Sequence, residues 1–207
     1  NIPAWLDKMV ANNWLGDKTG QGFFKKTKNE KGEKEILTLD LDTMEYGPRV
    51  KPKFATIDAA KPIDDLYSRL KMLVAGHDKA GEFYRLFHYG LFSYISHRIP
   101  EISDELYRVD DGMMGGFGWE IGAFESWDVL GVAKTTEAMK AAGYKVAPWV
   151  DEMLAAGNKS FYKVEAGVKY SYDPASKTYK PLPGGEAFIV MSNYTDKQIW
   201  KNGSCKC

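Results

Sequence analysis

The chain has 207 residues, and its 28 Lys+Arg balance 28 Asp+Glu, so neither a nucleic-acid backbone nor an anionic membrane surface has a net field to act on. A composition 44% hydrophobic and 14% aromatic excludes disorder as the dominant state, and no apolar run approaches the roughly 20 residues that span a bilayer. Residues Asn1 to Lys8 lack the basic and apolar regions of a signal peptide. The chain opens without an initiator Met, inside what reads as a helix, so a piece of a longer polypeptide is expected. Length alone fits one domain or two small ones.

In chain order, Pro3 ahead of Trp5, Leu6, Met9 and Val10 predicts a short amphipathic helix ending near Asn12. Gly16, Gly20 and Gly22 punctuate a loop. Phe23-Phe24 and Ile36 to Leu41 predict two short strands around an exposed turn with Asn29 and Gly32. Gly47 to Lys61, with Pro48 and Pro52, reads as an extended linker. Helical spacing resumes at Leu66, Leu70, Leu73 and Val74 and stops at Gly76. Phe83, Phe87, Leu91, Tyr94 and Ile95 then form the strongest periodic stripe, most simply a bundle core, although it could also line a slot for an apolar chain. Ser103 is the expected N-cap of the next helix. That helix carries Leu106, Val109 and Met113 until a glycine cluster, Gly112 to Gly118, breaks it. Further helices are expected over 123–130, 132–142 and 148–156.

The last of these helices repeats the first. Trp149, Asp151 and Met153 stand at one constant interval from Trp5, Asp7 and Met9. Ser160-Phe161-Tyr162-Lys163 answers Gly22-Phe23-Phe24-Lys25 after a shorter loop, and Tyr170 to Asp173 before Tyr179 answers Leu39 to Asp42 before Tyr46. Helix, loop and hairpin are therefore duplicated, and a first copy starting at residue 1 implies an upstream half.

Catalytic machinery is sparse. Gly20-Gln21-Gly22 follows a helix and precedes a strand, the reverse of a dinucleotide-binding fingerprint, and reads as a turn. His77, His88 and His97 show no ligand spacing, so no metal is expected. There is no G-x-S-x-G elbow, and the thiols of Cys205 and Cys207 lie in the terminal tail. Few cysteines and no secretory signal suit a reducing cytoplasm, and the sequons at Asn158, Asn193 and Asn202 read as chance matches. Asp110, Asp111, Glu120 and Glu125 could supply carboxylates near the glycine turn, although capping is the commoner use of such groups.

Two segments carry a resemblance. Leu15-Gly16-Asp17-Lys18-Thr19-Gly20-Gln21-Gly22-Phe23-Phe24 resembles the loop closing the C-terminal helical domain of 3-hydroxyacyl-CoA dehydrogenases. Val109-Asp110 through Gly118, Gly122, Phe124, Glu125, Asp128 and Gly131 is similar to that family's second signature. The resemblance implies a mainly α fold, a helical bundle of the 6-phosphogluconate/3-hydroxyacyl-CoA dehydrogenase C-terminal-domain type with two small β-hairpins. It implies a first-repeat remnant over 1–60 and a second repeat over 61–183. The segment 184–207, with Gln198 to Asn202, would lead to an enoyl-CoA hydratase-like domain, as in multifunctional fatty-acid oxidation proteins. The signature residues Gly16, Lys18, Thr19, Gly20, Gly22, Phe23, Asp110, Gly118, Gly122, Phe124, Glu125, Asp128 and Gly131 are expected to be structural.

Two positions depart from the pattern: Ala123 replaces the family's proline, and Asn158-Lys159-Ser160-Phe161 lacks the glycine-rich loop. The family's catalytic dyad and NAD site would lie upstream of residue 1, so catalytic, cofactor and metal residues are all expected to be absent here. The expected partners are an upstream NAD-binding Rossmann domain, an acyl-CoA substrate and a second copy in a homodimer. Neither nucleic acid nor membrane is expected. The parent would oxidise L-3-hydroxyacyl-CoA in β-oxidation, with this chain as cleft wall and packing surface. The rival reading is a non-enzymatic helical interaction module. A hydrolase using Asp110, Asp111 and Glu125 is a third.

Overall fold

A computed structural model describes residues 2–184. The expected lead-in with Gln198 to Asn202, the sequons at Asn193 and Asn202, and Cys205 and Cys207 lie outside the described residues. The chain divides into two compact units between Lys53 and Phe54.

In the first unit, helix α1 (Ala4–Ala11) leads through a 3-10 turn (Asp17–Thr19) into an antiparallel sheet of β1 (Phe24–Lys28), β2 (Lys34–Leu39) and β3 (Tyr46–Pro48), in that order. Among the described residues the second unit holds seven helices and a second antiparallel sheet. The helices are α2 (Ala55–Ala60), α3 (Leu66–Ala75), α4 (Lys79–His97), α5 (Leu106–Phe117), α6 (Ala123–Leu130), α7 (Val132–Ala141) and α8 (Pro148–Ala155). The sheet is β4 (Tyr162–Glu165), β5 (Val168–Asp173) and β6 (Thr178–Pro181). The mainly α expectation holds, with each hairpin enlarged by a third strand.

Helix α6 packs against α3, α4, α5 and α7 and forms the centre of the core. Phe124 and Trp127 are fully buried there with Phe161. Trp127 stacks on Phe92 of α4 with ring centroids 4.8 Å apart, and Phe161 lies 5.1 Å from both Phe124 and Trp127. Such packed aromatic pairs add roughly 0.5–1.5 kcal/mol each beyond area burial.

Several expectations are corrected. The 47–61 segment is not a continuous linker, because Tyr46–Pro48 joins the sheet edge and Ala55–Ala60 is helical. The Thr56 amide there donates to Asp78 Oδ2 at 3.0 Å, a tie between segments that local propensity does not reveal. Ser103 is not the N-cap of α5. Glu105 occupies that position, and Ser103 Oγ accepts from its amide at 3.2 Å. The glycine cluster does not break α5: Gly112, Gly115 and Gly116 lie inside it, and only Gly118, at φ 67°, ends it. Glycine costs about 1 kcal/mol in a helix interior, which the packing of Leu106, Val109 and Met113 against the core offsets.

The stripe expected on α4 divides: Ile95 is buried and Leu91 packs against the core, while Phe83 is 63% exposed and Phe87 and Tyr94 are open too, and Ala80, His88, Phe92 and Ser96 are buried in their place. Both faces of α4 have helical spacing, and small residues decided which one packs. A Cβ on Gly81 would meet Gly76 O at 2.1 Å, and Ser96 bonds to the α8 entry, accepting from Ala147 N at 3.2 Å.

The duplicated motif folds the same way twice. Trp5 meets Phe23 and Trp149 meets Phe161 edge-on, each pair with centroids 5.8 Å apart and planes at 64°. Asn13 and Gly157 both take positive φ one residue before the loop. Leu39 N donates to Phe23 O, and Tyr172 N donates to Phe161 O. The Tyr46 hydroxyl donates to Gly22 O at 2.6 Å and that of Tyr179 to Ser160 O at 2.5 Å. Asp40 and Asp173 each cap the following turn. These pairings match Leu39 with Tyr172 and Asp40 with Asp173, which shifts the sequence alignment of β2 with β5 by two residues. A strand slips by two without changing face, so its pattern alone does not fix the register.

Candidate functional site

Asp110 lies on the inner face of α5 and is buried. Its Oδ1 accepts from Phe124 N at 2.8 Å and its Oδ2 from Glu125 N at 3.0 Å. The N-cap of α6 is Gly122, which has no side chain to satisfy those amides. Asp110 therefore does from the neighbouring helix what a local Ser or Asp cap would do, and it places a negative charge at the positive end of α6. Space for the carboxylate exists because residue 122 is glycine: a Cβ there would lie 2.1 Å from Asp110 Cγ.

Asp128, one turn from the end of α6, makes the second clamp. Its Oδ1 accepts from Phe161 N at 2.7 Å and its Oδ2 from Tyr162 N at 2.8 Å, which fixes the entry to β4. The Tyr162 hydroxyl donates back to Asp110 Oδ2 at 2.9 Å, so one tyrosine joins the two clamps. Glu125 completes the group, accepting from the Tyr67 hydroxyl at 2.6 Å and pairing with Lys169 Nζ at 3.3 Å. Gly118 and Gly131 (φ 86°) end α5 and α6 in backbone conformations that favour glycine.

Burial pushes the Asp110 carboxyl up to about 6, against the pull of its amide and phenol donors. Burial pushes Asp128 up to about 7, with the neighbouring Asp110 and Glu125 charges adding to the rise. The Tyr162 phenol is driven well above its usual value by burial and by Asp110. Tyr67 is pushed up to about 12, by burial first and then by its bond to Glu125. Raised carboxyls in a protein interior often mark catalytic sites. In this case each oxygen of Asp110 and Asp128 is held by a donor of the chain, and the phenol that joins them is itself buried. The arrangement fastens α5, α6 and β4 together.

The other carboxylates weighed for chemistry lie apart from this cluster. Asp111 is exposed, and Glu120 is exposed and pairs with Arg69 at 3.5 Å. His88 is buried with Nδ1 2.6 Å from Tyr84 O, and burial lowers its pKa. Among the described residues no group of three or more His, Cys, Asp or Glu is placed to hold a metal.

In the first unit, Thr19 closes the glycine loop. Its Oγ1 accepts from Leu15 N at 3.0 Å and lies 3.2 Å from Gly16 O and 3.1 Å from Gln21 O. Gly16 and Gly20 take φ of 106° and 83°, and a Cβ on Gly22 would lie 2.8 Å from Gly16 Cα. Lys18 points to solvent. The structure thus gathers Asp110, Gly122, Phe124, Glu125 and Asp128 into one cluster in the second unit and folds Gly16 to Phe23 into a loop in the first. Sequence reasoning missed Tyr162, Tyr67 and Lys169. The duplicated Phe-Phe/Phe-Tyr dipeptide was the available signal for Tyr162.

The second unit also has a cleft of about 1030 Å³ lined by Ile99, Tyr107, Arg108, Trp149, Tyr172 and Lys180. Both cations there are paired, Arg108 with Glu105 and Lys180 with Asp173.

The chain is 36% identical over 172 residues to a probable 3-hydroxyacyl-CoA dehydrogenase of Bacillus subtilis, a match covering 83% of the chain and 21% of the relative. It is 24% identical over 166 residues to a protein of Rickettsia felis named as a fatty acid oxidation complex trifunctional enzyme, covering 80% of the chain and 21% of that relative. The chain thus spans about a fifth of the length of the curated relatives it matches. No family profile and no solved structure matches it. Among the described residues no helix is long and apolar enough to cross a membrane.

Proposed function

From the chain's kinship with a segment of the 3-hydroxyacyl-CoA dehydrogenases, we propose that it is the helical C-terminal part of such an enzyme in fatty-acid β-oxidation. In this reading residues 1–60 end a first repeat, 61–183 form a second, and 184–207 lead toward a hydratase-like domain. The hydride acceptor NAD and the base that takes the hydroxyl proton of a 3-hydroxyacyl-CoA belong to an upstream domain, in the cytoplasm, and no residue of this chain is assigned to either.

The observation that carries a scaffold role is the double clamp. Asp110 and Asp128, the carboxylates most shifted toward neutral pH, are spent on the backbone of α6 and β4. The outward aromatic face of α4, Phe83, Phe87 and Tyr94, supports a second role as an apolar wall of the acyl-CoA cleft. Neither role needs free cations, consistent with the paired state of Arg108 and Lys180. Titration of the chain with a long-chain acyl-CoA tests the wall. Saturable binding weakened by Phe83→Ser is expected. Absence of binding together with stable dimerisation would instead favour a non-enzymatic interaction module.

A further inference from the structure

The two copies of the duplicated motif differ in what covers them. In the second unit the Phe161 and Tyr162 amides end on the Asp128 carboxylate, and Phe161 is 0% exposed beneath α6. Their counterparts in the first unit, Phe23 and Phe24, are 46% and 54% exposed. Leu39 N donates to Phe23 O, and Phe24 stands opposite Thr38 in the ladder. On the side of β1 away from β2, the Phe24 carbonyl accepts from Gly22 N at 3.0 Å and Gln21 bridges to Lys25, and the Phe24 amide points to that same side, as the Tyr162 amide does toward Asp128. The Phe23 amide has no partner among the described residues. Two adjacent N–H groups beside two exposed rings make a surface with a positive edge and an apolar floor.

We propose that this surface docks a helix bearing an aspartate, supplied by polypeptide outside residues 1–207, with the carboxylate accepting from the Phe23 and Phe24 amides as Asp128 accepts from Phe161 and Tyr162. Charge complementarity selects an acid. The second unit shows that a helix of the type Phe-Glu-Ser-Trp-Asp-Val-Leu-Gly, residues 124–131, brings the apolar side chains along with it. The Trp5–Phe23 and Trp149–Phe161 pairs share one edge-on geometry, so Phe23 stands against its tryptophan as its buried counterpart does. The relatives' greater length leaves room for such a segment. The inference rests on the repeat reading above, and its test involves no dehydrogenase activity.

The test is an extended chain. A second copy of residues 54–146 is fused directly ahead of Pro3, the junction the repeat dictates because Ala147 corresponds to Pro3. Amide hydrogen exchange is then read at Phe23, Phe24, Phe161 and Tyr162. The expected result is that exchange at Phe23 and Phe24 slows at least tenfold toward that of Phe161 and Tyr162. Asp→Asn at position 128 of the added copy alone should return it to the original rate. An added copy that stays unfolded, one that folds while Phe23 and Phe24 exchange as before, or protection that survives the Asp→Asn change would overturn the proposal.

Discussion

Asp110 and Gly122 fit as a pair: a Cβ at 122 would lie 2.1 Å from the Asp110 Cγ, so the carboxylate reaches the α6 amides only past a glycine. Gly122→Ala should displace the carboxylate and leave the Phe124 and Glu125 amides unmet, at a cost of roughly 3 kcal/mol. Asp110→Ala should cost a similar amount, and the double substitution little more than either, because each removes the same clamp. Asp111→Ala, one residue along and exposed, should stay within about 0.5 kcal/mol. Urea unfolding of the four variants checks the pattern.

Asp110 and Asp128 set a pH dependence with a definite sign. Their folded values, about 6 and about 7, lie above the usual 3.8. Between these limits the folded chain binds more protons than the unfolded one, so their contribution is fully present below about pH 4 and is lost as pH rises through 6 and 7. Asp78, held near 2 by the Thr56 and Gly81 amides, stays charged across that window, and His88, whose pKa burial lowers, works the other way below its usual 6.5 as one group against two. The urea midpoint of the second unit is therefore expected to be higher at about pH 5 than at about pH 8. A midpoint that rises with pH would contradict the burial of these two groups.

The repeat makes a paired prediction. Tyr46→Phe and Tyr179→Phe each remove one hydrogen bond from a hydroxyl to the residue before the duplicated Phe. Each should cost about 1 kcal/mol in its own unit. The readout is amide exchange in β2 for the first and in β5 for the second, and an effect in only one unit would break the equivalence.

The outward turn of α4 separates two rings that the sequence treats alike. Phe92, fully buried against Trp127, should cost roughly 3–5 kcal/mol when replaced by Ala. Phe83→Ser should change stability by less than about 0.5 kcal/mol. A large loss at Phe83 would place the stripe in the core after all.

The second unit's helices were readable because their apolar periods are long, and the duplication was readable because Trp, Asp, Met and Phe recur at fixed intervals. The orientation of α4 was legible only in part: of the stripe Phe83, Phe87, Leu91, Tyr94 and Ile95 the last and Leu91 reach the core, but Ala80, His88 and Phe92 are also helically spaced and only the neighbours choose between the faces. The continuation of α5 through Gly112 to Gly116 was hidden for a similar reason: local propensity argues against it and packing overrides it. The motif residues Asp110, Gly122 and Asp128 were legible by resemblance. Their partners Tyr162 and Phe161 lie more than thirty residues away in the chain, and no local pattern connects them.

The placing of the hydride-transfer chemistry outside this chain is tested most directly by following NADH formation when the 207-residue chain meets NAD and a 3-hydroxyacyl-CoA. The expected result is no rise above the protein-free rate. A rise that Asp110→Asn or Asp128→Asn abolishes while the fold stays intact would contradict it and make these carboxylates catalytic.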